Sequence, residues 1–359
     1  MSAGLDALRR EAGRMLDALG RGPQETPSRI LAEWPGARVR AYHAPGQGDG
    51  PALLICPAPF KRPYIWDLLP PVSVVQRALA RGLRVYLIEW RDPTAADDGW
   101  GLADFAERLP AAALNAIAAE SAAETPGVLP VIAGHSLGGT LAAIFAALHP
   151  DRVGGLVLVD APLAFGAEGG PIARAAAAIP HARTLRAALG APVPGSAITA
   201  LSLGAAPDVF RLQPLADFAA CLTDPLALTV HLRVARWALD EFPLPGQFFE
   251  DVVDQLYRED RFRAGTLPIG GREIGIAALR TPILAVINPA GGVVPPSSLE
   301  RGLALITRPP PETMTYAPGP GPMLQHLGPL VAPAAHLTLW PGILDWIARR
   351  AGNAPAATG

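Results

Sequence analysis

The run Leu129–Ala133, followed at once by Gly134-His-Ser-Leu-Gly138 and then by Thr140–Leu148, admits few folds. The first piece is a short apolar stretch with strand character. In the last, Leu141, Ile144, Phe145 and Leu148 recur at helical spacing. A chain that passes from strand to helix within five residues must turn sharply. Ser136 at the apex is forced into strained backbone geometry, and the glycines around it leave room for neighbouring chain. The hydroxyl then stands at the carboxyl edge of a sheet and at a helix N-terminus, where developing negative charge is favoured. Ser136 therefore reads as a nucleophile, and the Leu137 N–H as one donor to the oxyanion formed when it attacks a carbonyl.

The same strand–helix rhythm surrounds this turn. Ala37–Tyr42 and Ala52–Cys56 read as strands joined by a turn-rich hairpin link, Val72–Arg81 as a helix, and Arg84–Glu89 as a strand. Leu102–Glu120 reads as an Ala-rich helix and Leu156–Val159 as a further strand. This alternation predicts a mostly parallel sheet with helices on both faces, the α/β-hydrolase fold. From about Leu163 to Ile274 the pattern is helical and broken by Pro, with no clear strand, as expected of a cap or lid inserted into the sheet domain. Sheet character returns at Ile283–Ile287, a Pro-rich loop follows over Pro309–Pro322, and Leu339–Arg350 closes the chain as a helix. The expected organisation is an N-terminal amphipathic helix over 1–24, a core over 25–162 and 275–352, a lid over 163–274, and a frayed tail over 353–359. In the first segment Leu5, Leu8, Ala12, Met15, Leu16 and Leu19 share one face. That face would pack on its own domain or dock a partner or lipid-like surface.

Half of the 359 residues are apolar and 17% are charged, so a large core is readily built, and the net charge of -2 gives no electrostatic hold on nucleic acid. No apolar run is long enough to span a membrane. Cys56 and Cys221 form neither a disulfide framework nor a metal cluster, and the expected setting is the cytoplasm. Neither a metal nor an organic cofactor is expected. A second oxyanion donor should lie in the loop after an early strand, Pro57-Ala-Pro-Phe-Lys-Arg62; Pro59 has no N–H, which leaves Phe60.

Several stretches, taken in order, resemble the polyhydroxyalkanoate synthases, nearest the short class III type. They are Arg62-Pro-Tyr-Ile-Trp-Asp-Leu-Leu69, Arg84-Val-Tyr-Leu-Ile-Glu-Trp90, Gly138-Gly-Thr-Leu141 and Leu148-His-Pro-Asp-Arg-Val153. Later come Trp237-Ala-Leu-Asp-Glu-Phe-Pro243, Leu256-Tyr-Arg-Glu259, Val293-Val-Pro-Pro296, His326-Leu-Gly328 and Trp340-Pro341. The resemblance implies an α/β-hydrolase core, a mobile lid, a Cys-His-Asp triad and transfer of 3-hydroxyacyl groups from coenzyme A onto a polyester. It makes a coenzyme A thioester a candidate substrate, and a polyester granule or a synthase subunit a candidate partner, and leaves room for a homodimer. Tyr64, Trp237 and Asp240 would then line a substrate channel.

Two positions depart from that pattern. Ser136 stands where the family has Cys, and a hydroxyl depends more heavily on its base than a thiol does. Gly291 stands where the resemblance expects the acid, and Asn288-Pro-Ala-Gly-Gly-Val-Val-Pro-Pro296 holds no carboxylate. Asp160, at the end of the Leu156–Val159 strand, is the candidate replacement. His326 is the candidate base, with His336 as rival, and the chain order Ser136, Asp160, His326 suits this fold. Three readings follow: a serine hydrolase acting on an ester or thioester of hydroxyalkanoate type, a synthase using Ser for Cys, or a binding homologue without catalysis.

Overall fold

The computed structural model describes residues 2–43, 50–121, 128–179, 181–318 and 324–351. Ten strands occur among them: β1 (Arg29–Trp34), β2 (Ala37–Ala41), β3 (Ala52–Cys56), β4 (Arg84–Trp90), β5 (Val131–His135), β6 (Gly155–Val159), β7 (Leu267–Ile269), β8 (Arg272–Ile274), β9 (Ile283–Ile287) and β10 (Glu312–Thr315). Eight of them form one sheet in the order β1-β2-β4-β3-β5-β6-β9-β10. From β4 to β10 the pairings are parallel, while β1 and β2 run antiparallel at one edge.

Every residue of β3, β5 and β6 is buried, as required of strands covered on both faces. The two-residue period sends their side chains to opposite layers. Leu54, Ile132, Leu156 and Leu158 face one hydrophobic layer. Leu53, Ile55, Val131, Val157 and Val159 face the other, which holds Trp66, Trp340 and Trp346. Among the described residues four α-helices precede β6: α1 (Ser2–Ala18), α2 (Val74–Ala80), α3 (Leu109–Ser121) and α4 (Leu137–Leu148). All twelve residues of α4 are buried, so its sequence carries no polar stripe at all. Its start is pressed onto the sheet. A Cβ on Gly134 would come within 2.5 Å of the Gly139 backbone, and one on Gly138 within 2.3 Å of the Cys56 carbonyl oxygen.

Between β6 and β9 the chain is mainly helical, with α5 (Gly170–Ala178), α6 (Ala182–Leu189), α7 (Gly195–Ala205), α8 (Gln213–Cys221) and α9 (Pro225–Ala238) as its first members. This insertion is not free of strand. β7 and β8 form a small hairpin in it, too short to show periodicity. Three other expectations change. Ala37–Tyr42 and Ala52–Cys56 do not pair as a hairpin, because β4 lies between them. β1 is an additional edge strand, pairing with β2 across a register shift. β10 emerges from the Pro-rich loop and extends the sheet beside β9. The expected tail 353–359 lies outside the described residues.

The insertion is fastened to the core beside the loop after β3. Glu241 is fully buried and accepts from Lys61 Nζ at 2.7 Å and from Arg9 Nε at 2.5 Å. A carboxylate so deeply placed is tolerable only with such partners. α1 lies on the insertion by its polar face: the Ser196 N–H donates to Asp6 at 2.9 Å, and Arg236 pairs with Asp17 at 2.7 Å. Leu5, Leu8, Met15 and Leu19 are left exposed. The expected apolar face of this helix exists, but it points outward.

Candidate active site

Ser136 is half-buried at the turn between β5 and α4, with φ 55 and ψ -138. Its N–H donates to the Val159 carbonyl at 3.1 Å and its own carbonyl accepts from Gly139 at 2.9 Å. The strain is therefore held by hydrogen bonds on both sides of the residue. Leu137 is the first residue of α4, so its N–H has no acceptor within the helix.

Asp160 follows β6 and is again left-handed, with φ 45. Its N–H donates to the Val286 carbonyl of β9 at 3.0 Å. The carboxyl is buried, and its Oδ2 lies 2.8 Å from His326 Nδ1. A carboxylate only accepts, so Nδ1 carries a hydrogen, and in the neutral ring Nε2 holds the lone pair. Nε2 is buried and has no hydrogen-bond partner. Nε2 is thus an unused ring nitrogen on a side chain held from behind by Asp160.

Two further side chains steady this pair, and sequence reasoning missed both. His135 Nε2 lies 2.7 Å from the His326 carbonyl oxygen, which makes it the donor, and the two rings are 4.3 Å apart. Burial, followed by the neighbouring His326, holds His135 well below the ordinary histidine range, so it stays neutral. Asn288, buried at the end of β9, directs its amide towards Asp160 Oδ2 at 3.4 Å, while its own Oδ1 accepts from Ala290 at 3.2 Å. Position 288 lies in the stretch where the resemblance expects an acid, and an amide there carries no sequence signal of its own. His135, Asp160 and His326 also bring possible ligand atoms within 4.8 Å of one another. The hydrogens on His135 Nε2 and His326 Nδ1 are committed to acceptors, an arrangement suited to orienting a base.

Gly291 explains why no carboxylate stands there. A Cβ at that position would meet the Val294 carbonyl oxygen at 2.3 Å and that of Asn288 at 3.1 Å. The loop is folded too tightly for any side chain.

The remaining candidates gather elsewhere. Phe60 is partly buried against the core. Tyr64, Trp237 and Asp240 meet at the seam between the insertion and the loop after β3. The Tyr64 hydroxyl reaches Asp240 at 3.3 Å, and Trp237 Nε1 donates to the Arg62 carbonyl at 2.7 Å.

His336 is separate from this constellation. Its Nε2–H donates to the Leu330 carbonyl at 2.6 Å, and its Nδ1 accepts from Arg77 Nε at 2.8 Å. Burial lowers it to about 4, and the Arg77 charge acts in the same direction. The native state thus refuses a proton that the unfolded chain binds near 6.5. Stability from this group is full above that value and is lost as pH falls towards 4. Between about pH 7 and pH 5, the wild type is expected to lose about 2 kcal/mol more than H336Q. Urea unfolding at the two pH values measures this. Equal losses in both proteins would show that His336 titrates normally.

The sheet order, the Ser136 turn and the inserted helices define the α/β-hydrolase fold, and residues 51–199 match the family model described as alpha/beta hydrolase fold. A solved hydrolase from Pseudomonas aeruginosa PA01 superposes with a TM-score of 0.52 at 19% identity, covering 91% of this chain and 98% of that one. In sequence the chain is 26% identical over 339 residues to the poly(3-hydroxyalkanoate) polymerase subunit PhaC of Haloferax mediterranei, covering 91% of this chain and 64% of that protein. It is also 26% identical over 298 residues to the subunit of the same name from Allochromatium vinosum, covering 83% and 81%. The chain thus has the α/β-hydrolase fold and is similar in sequence to poly(3-hydroxyalkanoate) polymerase subunits. The chain spans under two thirds of the Haloferax subunit's length. Among the described residues no helix is long and apolar enough to cross a membrane.

Proposed function

We propose that the protein is a serine acyl enzyme that hydrolyses an ester or thioester of hydroxyalkanoate type. The observation that carries this reading is the 2.8 Å contact between His326 Nδ1 and Asp160, with Nε2 left unpartnered. Ser136 Oγ attacks the acyl carbonyl while His326 Nε2 takes its proton. The Leu137 and Phe60 N–H groups hold the oxyanion. Collapse expels the alcohol or thiol, which takes the proton back from His326. A water molecule, deprotonated by the same nitrogen, then releases the acid and restores Ser136. Asp160 keeps His326 in the right tautomer and balances its transient charge.

A second reading rests on the relatives, which are named as polymerases. In it the acyl group passes from Ser136 to the hydroxyl of a growing polyester instead of to water. The first reading is preferred because the intermediate on Ser136 is an oxygen ester. Transfer from it to another hydroxyl has little driving force, whereas water is abundant. We place the activity in the cytoplasm, with a small acyl ester or acyl-CoA as substrate and a polyester granule as the surface that the apolar side of α1 would meet.

Incubation with 3-hydroxybutyryl-CoA separates the two readings. Hydrolysis is expected to give free coenzyme A and 3-hydroxybutyrate in equal amounts, measured by mass spectrometry. Coenzyme A release accompanied by oligomers and little free acid would replace hydrolysis with polymerisation.

A further inference from the structure

α8 is a helix of two characters. Leu215 and Phe218 are exposed, as are Leu212 and Leu222 beside its ends, yet Asp217 is buried. Asp217 Oδ2 accepts from the backbone N–H of Leu324 at 3.1 Å, across 107 residues. Leu324 is itself buried and has φ 47, a left-handed value that a leucine rarely holds. Its carbonyl accepts from the Leu327 N–H at 2.9 Å, closing the short turn that carries His326. The bond from Asp217 therefore joins the insertion to the turn of the base.

Of the four non-glycine residues with positive φ among the described residues, Ser136, Asp160 and Leu324 belong to the site or its support. Such backbone persists only where its surroundings over-determine it. For Ser136 and Asp160 those surroundings are strands of the sheet. For Leu324 they include a carboxylate on a helix whose outer face is open to solvent. Elsewhere the insertion is fastened by Lys61 on the fully buried Glu241 and by Trp237 on the Arg62 carbonyl. The base side is held by a helix with much less buried surface, and helices of that kind open first.

We infer that Asp217 is a positioning residue that makes the aim of His326 depend on the seating of α8. With α8 seated, the Leu324 N–H is satisfied and the turn holds Nδ1 on Asp160. When α8 lifts, that N–H loses its acceptor, the strained turn relaxes, and the orientation of the His326 ring is lost. The inference rests on the reading of His326 as the base.

The test is the rate at which a fluorophosphonate labels Ser136 in the full chain, followed by intact mass. D217A is expected to label about 100-fold more slowly, the scale of a misplacement near 1 Å. D217N, whose side-chain oxygen still accepts from Leu324, is expected to label within about threefold of wild type. In ester turnover the loss in D217A should fall on kcat with KM little changed. H326A separates the role of His326 from that of Asp217. If H326A labels like wild type, the base assignment fails and the role of Asp217 with it. If H326A is silent while D217A labels within about twofold of wild type, only the Asp217 inference is overturned. Should D217A fail to fold, amide exchange in the wild type decides. The Leu324 amide is expected to share the protection of the α8 amides, and a difference above about tenfold would overturn the inference.

Discussion

Replacing Ser136 with Ala is expected to abolish fluorophosphonate labelling and to lower ester turnover by about 10⁴- to 10⁶-fold. The size of the effect follows from what the turn is built to do. Its φ of 55 is held by bonds to Val159 and Gly139, and its glycines are pressed against backbone on two sides. Alanine fits the same backbone, so the protein should remain folded, and the loss can be assigned to chemistry. The proposed oxyanion donors, the Leu137 and Phe60 N–H groups, are unchanged in the variant, so some rate above that in water should persist. S136C supplies a complementary result. It would form a thioester, a more activated acyl donor than the ester on Ser136. The ratio of transfer to hydrolysis is therefore expected to rise in S136C with an alcohol acceptor present. Labelling that survives in S136A would remove Ser136 from the chemistry.

The Ser136 turn was legible because its determinants are local: five residues, two of them glycines, between an apolar strand and an apolar helix. The parallel centre of the sheet was legible for the same reason, since β3, β5 and β6 are short apolar runs buried on both faces. The edges were not. β1 is only half-buried along its length, and β10 has four residues beside a run of prolines, so neither shows a period that exceeds chance. The stripe on α1 was visible, but its direction was not, because that depends on Asp6, Arg9 and Asp17 finding partners in a segment about two hundred positions away. The same limit applies at the site. Chain order could suggest Asp160 and His326, yet nothing local in either stretch encodes their contact. His135, Asn288 and Asp217 act on backbone groups or on another side chain's acceptor, which composition does not reveal.

D160N is expected to lower turnover by about 10⁴-fold with labelling slowed in parallel. The amide keeps the shape of the carboxyl but not its charge. It can present N–H to His326 and so favour the tautomer in which Nε2 carries hydrogen and cannot act as base. It also leaves the imidazolium without its counter-charge. The stronger form of this experiment asks whether the acid could stand where the resemblance expects it. Adding Gly291→Asp to Asp160→Ala is expected to restore nothing. A Cβ at 291 lies 2.3 Å from the Val294 carbonyl oxygen and 3.1 Å from that of Asn288, so the new residue would have to open the turn. Opening it would move Asn288, the residue that steadies position 160. Recovery of more than about a tenth of wild-type turnover would show that the loop can accept a side chain and that the acid position is interchangeable. Failure to recover, with the double variant folded, would mean that the tight loop at Gly291 and the carboxylate at Asp160 are one coupled arrangement. The chain could not then regain the expected triad by a single substitution, because the space for it has been taken by backbone.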